Sequence, residues 1–175
     1  MIKKLLLGAA LVLALPSAAR AGMYVGGAFG QATTEHNITD VNVDESALGW
    51  KLYAGSRFFK FFGAEASYID FGEPEGTING ETWKANSHGA GAFAVGALPL
   101  GKHFEPFVKV GILYVSTEST IAGVFESVSN TSTAYGAGLM VIFVGHLGVR
   151  LEAEKFEVSD VDNLWMYSLG LDFRF

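Results

Sequence analysis

The last eleven residues alternate without a break. Trp165, Tyr167, Leu169, Leu171, Phe173 and Phe175 share one parity, and all six are apolar or aromatic. Met166, Ser168, Gly170, Asp172 and Arg174 take the other. Successive side chains of a strand point to opposite faces, so the segment reads as a strand with one oily and one mixed face. On a helix the six would scatter around the circumference.

The same period recurs upstream. Leu147, Val149, Leu151 and Ala153 alternate with Gly148, Arg150, Glu152 and Glu154. Trp50, Leu52, Ala54 and Phe58 oppose Lys51, Tyr53, Gly55 and Arg57. Val108, Val110, Ile112 and Tyr114 oppose Phe107, Lys109, Gly111, Leu113 and Val115. Phe62, Ala64, Ala66 and Tyr68 oppose Gly63, Glu65, Ser67 and Ile69. Gly136 to Phe143 is apolar on both faces, and the less regular Met23 to Ala32 and Asn86 to Leu98 bring the total to eight expected strands. Each is long enough to cross a bilayer when tilted.

Composition decides what such strands face. Half of the chain is apolar, and only 17% is charged, against about 25% in an ordinary soluble domain. No apolar run after residue 21 approaches the roughly 20 residues a spanning helix needs. A chain that is apolar but not helical satisfies its backbone in lipid only as a closed barrel. The expectation is therefore an all-β fold, an eight-stranded antiparallel up-and-down transmembrane β-barrel over residues 22–175.

Residues 1–21 read as a secretory signal. Lys3 and Lys4 open it, Leu5 to Leu15 form a short apolar run, Pro16 breaks it, and Ala19-Arg20-Ala21 is a small-x-small cleavage site. Removing Lys3, Lys4 and Arg20 takes the formal charge from −6 to −9. That balance excludes nucleic acid as a partner, because phosphates require a basic footprint. There is no cysteine, hence no disulfide framework and no thiolate site.

The connections alternate in length. Phe59 to Phe61, Pro99 to Glu105 and Gly145-His146 are short; Thr33 to Glu45, Gly72 to Ala85, Glu118 to Ser132 and Glu157 to Asn163 are long. Short periplasmic turns and long extracellular loops fit an outer-membrane barrel. With that orientation, Phe58, Phe62, Phe143, Phe173 and Phe175 fall at periplasmic strand ends, and Trp50, Tyr68, Tyr114, Trp165 and Tyr167 toward extracellular ends. These two sets are the expected membrane-interface girdles.

The inner face carries Lys51, Arg57, Glu65, Lys109, Arg150, Glu152 and Glu154. An eight-stranded interior is just wide enough for side chains to fill. Charges there must pair, so a mutually neutralising ladder is expected, with Arg150 paired to Glu65 or Glu152 and inward glycines making room for the long side chains. Such a lumen is plugged.

Tyr24-Val-Gly-Gly-Ala-Phe-Gly, Ser56-Arg-Phe-Phe-Lys-Phe-Phe-Gly-Ala-Glu-Ala-Ser-Tyr, Tyr135-Gly-Ala-Gly-Leu and Leu147-Gly-Val-Arg-Leu-Glu resemble the OmpA-like transmembrane β-barrels, which include the opacity-type surface proteins. The close, Tyr167 to Phe175, resembles the terminal aromatic signal that this family presents to the barrel-assembly machinery. The resemblance spans the mature chain and implies fold and membrane more sharply than activity. Two departures stand out. The chain stops at Phe175, so no peptidoglycan-binding domain is expected. Met140 stands where the prototype barrel carries an inward glutamate, so that barrel's internal salt-bridge switch does not transfer intact.

No catalytic, cofactor or metal site is expected. Gly-x-Ser-x-Gly, His-Glu-x-x-His and Gly-Lys-Ser/Thr motifs are absent. His36 and His88 belong near extracellular ends and His103 and His146 in periplasmic turns, too far apart for one metal. Ser87 and His88 are adjacent but point to opposite faces of a strand. The loops carry Glu35, Asp40, Asp44, Glu45, Glu73, Glu75, Glu81, Glu118, Glu126, Glu157, Asp160 and Asp162, an acidic surface able to bridge lipopolysaccharide phosphates through divalent cations.

The leading reading is a structural, surface-interaction protein of a Gram-negative outer membrane, displaying four loops for adhesion or envelope integrity. Its expected partners are membrane lipid and lipopolysaccharide, the assembly machinery through the C-terminal strand, and an extracellular host or surface ligand. A narrow small-solute channel, a lipid A-modifying enzyme and a soluble ligand-binding barrel are the competing readings.

Overall fold

The computed structural model describes residues 22–38, 41–72, 75–78, 81–121, 124–158 and 161–175. Residues 1–21, read above as an export signal, and the loop residues Asp40, Glu73 and Asp160 lie outside the described residues. So do the side chains of Glu35, His36, Asp44, Glu45, Glu75, Glu81, Glu118, Glu126 and Asp162.

Among the described residues the secondary structure consists of strands: β1 (Met23–Ile38), β2 (Val41–Arg57), β3 (Phe62–Asp70), β4 (Glu75–Ile78), β5 (Glu81–Ala97), β6 (Phe104–Ile121), β7 (Val124–Val144), β8 (Leu147–Val158) and β9 (Val161–Arg174). All pairings are antiparallel, and each long strand pairs with its neighbours in sequence order. β1 pairs with β9, Tyr24 opposite Arg174 and Phe29 opposite Leu169, which closes the barrel. The eight long strands are its staves. The ninth, β4, pairs only with the first residues of β5, from Glu75 opposite Lys84 to Ile78 opposite Glu81.

Closure leaves none of the eight staves as an edge strand, and parity then fixes the two surfaces. Leu52, Val108, Val110, Ile112, Leu151, Leu169 and Leu171 stand exposed on the outside, while Lys51, Glu65, Lys109, Arg150, Glu152 and Glu154 are buried inside. A water-soluble fold shows the opposite arrangement.

The strands run further than the alternation alone suggests. All four expected long loops are largely paired hairpin arms, Gly72 to Ala85 through the short β4–β5 hairpin. β1 and β2 stay in register to Ile38 opposite Val41, β6 and β7 to Ile121 opposite Val124, and β8 and β9 to Val158 opposite Val161. The reason is physical. Above the membrane the outer face no longer needs apolar residues, so hydrophobic alternation stops while backbone pairing continues. Threonine and valine, frequent in these arms, suit strands. Two bounds also shift. Phe58 leaves β2 and joins the turn, and Glu105, expected in a turn, lies within β6.

Candidate functional site

The interior has three tiers. At mid-height sit three cations and three carboxylates. Lys51 donates to Glu152 and Glu154. The Lys109 ammonium lies 3.1 Å from Glu65, 2.7 Å from Glu152 and 2.6 Å from Glu154. Arg150 reaches Glu65 Oε2 at 2.7 Å through Nη1 and Glu152 Oε2 at 3.0 Å through Nε. Each cation thus contacts at least two carboxylates and each carboxylate at least two cations. The six formal charges cancel, which meets the requirement that buried charges be paired.

Aromatic rings hold the cations from the sides. The Arg150 guanidinium sits between Tyr53 at 4.4 Å and Phe107 at 4.3 Å, and the Lys109 ammonium lies 4.4 Å from the Phe93 centroid. Guanidinium and ammonium groups are attracted to ring faces, more so when desolvated.

Each of these rings lies over a glycine. Tyr24 pairs directly with Gly55, Tyr53 with Gly26, Phe93 with Gly111 and Phe107 with Gly138. A Cβ at these glycines would come within 2.8 Å of the paired ring. The inward glycines were expected to make room for charged side chains. At these four positions they make room for rings, and the rings then support the charges. Gly136 is different: a Cβ there would meet the Glu154 side chain at 3.0 Å.

The tier at the short-turn end holds a separate cluster. Glu105 is contacted by Arg57 Nη2 at 2.5 Å and Arg174 Nη2 at 2.6 Å. Tyr24 donates to Glu65 at 2.9 Å, and Tyr53 donates to Asp172. Arg57 therefore stands apart from the other six ionic residues marked in the sequence. Glu105, Asp172, Arg174, Tyr24 and Tyr53 are partners that sequence reasoning did not count. Parity could have found Glu105, which shares its face with Phe107 and Lys109.

The tier at the opposite end, below the long hairpin arms, is apolar. Ile69, Phe71, Phe93, Leu113, Val115, Phe156 and Met166 pack into one buried cluster, with Phe71 edge-on to Phe156 at 5.1 Å. An interior pictured as an ionic ladder is in fact ionic in the middle and at the short-turn end, and oily toward the long hairpin arms. The Ile69, Leu113 and Met166 parities placed these residues inward, but the charges drew attention away from them.

The outer wall carries the aromatics. Trp50 and Tyr68 lie 5.7 Å apart, and Trp165 and Tyr167 stand parallel at 6.1 Å. Tyr114 projects outward from β6. At the other end Phe58, Phe62 and Phe143 are exposed, and Phe173 meets Phe175 edge-on at 5.2 Å. The short-turn end of the wall is phenylalanine, and the other end is tryptophan and tyrosine with Phe29 opposite Trp50.

His88 stacks over Tyr68 on the outer wall at 6.2 Å, with Nδ1 3.4 Å from Asn86 Oδ1. His146 Nδ1, in the short turn between β7 and β8, lies 2.9 Å from the Arg174 carbonyl oxygen.

Comparison with known proteins agrees with this architecture. The model of the outer membrane protein beta-barrel domain matches residues 5–175. No curated protein sequence matches the chain. Among solved structures, Neisserial surface protein A superposes with a TM-score of 0.70 at 12% identity, over 89% of this chain and 98% of that one. The outer membrane protein OprG from Pseudomonas aeruginosa gives 0.67 at 12% identity, over 89% and 97%. Ail, the attachment invasion locus protein of Yersinia pestis, gives 0.64 at 18% identity, over 89% and 99%.

Proposed function

Because the chain belongs to the outer membrane protein beta-barrel domain family, we propose that it is a non-conducting, non-enzymatic surface protein of the Gram-negative outer membrane, whose barrel anchors hairpins that contact external partners. Residues 1–21 serve as its export signal and residues 22–175 as the mature barrel. The tryptophan and tyrosine rim lies at the outer interface and the phenylalanine rim at the periplasmic one. The last strand, ending in Phe175, is the segment offered to the assembly machinery.

The observation that carries this reading is the closed interior. Lys51, Lys109, Arg150, Glu65, Glu152 and Glu154 neutralise one another across the lumen, and an apolar cluster caps them. A solute path would have to break both tiers. The paired arms supply the display surface. Beyond Phe29 the β1–β2 hairpin continues for nine residues, to Ile38, about 30 Å along a strand. The likeness to a protein named for attachment and invasion supports contact with an external surface as the role of those arms. The position of His88 on the outer wall, against Tyr68 and Asn86, supports reading the Ser87-His88 step as structural.

The test is planar-bilayer recording of the refolded chain. The reading predicts no stable conductance. A steady open level of porin size would overturn it and favour the channel.

A further inference from the structure

We propose that the mouth of the barrel at the short-turn end, built around Arg57, Glu105 and Arg174, is a binding site for the carboxylate end of an acidic peptide. The three side chains come from β2, β6 and β9 and share the inward parity of Lys51, Lys109 and Asp172. Glu105 meets Arg57 Nη2 at 2.5 Å and Arg174 Nη2 at 2.6 Å. Paired backbone carries both arginines. Arg57 N donates to the Gly22 oxygen at 2.9 Å, and Arg174 N to the His146 oxygen at 2.7 Å.

Charge and access separate this cluster from the one at mid-height. There three cations meet three carboxylates, and their side chains are at most 3% exposed. Here two cations share one carboxylate, and the Arg57 and Arg174 side chains are 17% and 22% exposed. Asp172, the next inward residue of β9, does not complete the pairing. It accepts from Tyr53, and among the described residues no cation forms an ion pair with it. Donor capacity is left over as well. A guanidinium has five N–H groups. Arg57 uses one of its nitrogens and Arg174 two on Glu105, and Nε of each has no partner.

The surroundings favour an anion arriving end-on from water. Lys60 and Lys102 stand exposed in the short turns, and within two residues of those turns Glu105 is the one acid among the described residues. This basic end belongs to a chain whose net charge is −6, and it concentrates anions locally. Lipid headgroups surround the outer wall, whereas these guanidiniums open along the barrel axis. An eight-stranded interior is just wide enough for side chains, so the mouth admits one extended chain and no folded surface. A guanidinium fork matches a carboxylate, and Glu105 shows that both arginines accommodate one. A second carboxylate balances the excess charge. A peptide C-terminus offers that group on a single flexible chain, and acidic residues behind it meet Lys60 and Lys102. On the reading above this mouth faces the periplasm, but binding in micelles does not depend on the side, so its failure leaves that reading standing.

The test is fluorescence anisotropy of a labelled short peptide of glutamate and glycine, titrated with the mature chain refolded in uncharged detergent. The comparators are the same peptide amidated at its C-terminus, inorganic phosphate, and phosphatidylglycerol added to the micelles. The wild type is expected to bind the free acid about tenfold better than the amide, the weight of one charge-assisted hydrogen bond. Arg57→Gln and Arg174→Gln are expected to lose that preference. Lys60→Gln with Lys102→Gln is expected to slow association and keep it. Glu105→Gln is expected to tighten binding of the free acid about tenfold, because it releases both guanidiniums; a purely structural role for the cluster would weaken binding instead. Heat-modifiable migration checks that each variant is folded, and the wild-type comparison of acid with amide keeps the test open if one is not. Equal binding of acid and amide would overturn the proposal, as would weaker binding by folded Glu105→Gln. Displacement by millimolar phosphate would identify free phosphate as the ligand, and displacement by phosphatidylglycerol would identify a membrane contact; either would overturn it too.

Discussion

At the scale of single residues, Arg150 joins the ionic and aromatic parts of the interior. It bridges Glu65 and Glu152 and lies between the rings of Tyr53 and Phe107. Removing one partner of a buried ion pair leaves an uncompensated charge, at a cost of about 3–5 kcal/mol. Arg150→Leu is therefore expected to lower the stability of vesicle-refolded protein by that amount in urea unfolding followed by tryptophan fluorescence. An unchanged midpoint would contradict the pairing. Glu105→Gln removes a carboxylate between two partly exposed guanidiniums, and the expected loss is smaller, about 1.5–3 kcal/mol. The ionic residues were legible because a charge on the inward parity of an oily strand has few alternatives to pairing. Their partners were less legible. Which carboxylate meets which cation depends on the stagger between strands, which alternation within one strand does not encode.

At the scale of elements, strand and glycine are coupled across the ladder. Gly55 faces the Tyr24 ring closely enough that its Cβ would fall 2.3 Å from the ring. Gly55→Val must push that ring away from Glu65. Overpacking of this kind costs about 1–3 kcal/mol, measurable in the same unfolding assay, and Gly55→Ala is expected to cost less. The membrane-crossing parts of the strands were visible in the sequence because lipid demands an oily face on every second residue. The arms were not, because pairing above the bilayer leaves no hydrophobic period. They make a separate prediction. Amides of the β1–β2 arm between Gly30 and Ile38, paired with Val41 to Gly49, are expected to exchange slowly with deuterium in micelles. Exchange as fast as in an unstructured peptide would show a loop instead.

At the scale of the whole molecule, the fold is an inversion: hydrocarbon outward, neutralised charge inward, an oily lid over that charge. Glu65, Glu152 and Glu154 need cations only because water is excluded, and the apolar cluster around Phe71 and Phe156 helps exclude it. That lid was the part of the interior least legible in advance. An inward Leu113 or Met166 looks unremarkable in a sequence until neighbouring strands bring Ile69 and Phe156 beside it. Depth-resolved quenching tests the inversion most directly. In single-tryptophan variants retaining Trp50 or Trp165, with the other tryptophans changed to phenylalanine, the refolded chain is placed in bilayers of brominated lipid. The account predicts strong quenching of both, greatest for bromines near the headgroups. Unquenched emission from both positions, in a chain that stays monomeric without detergent, would contradict it.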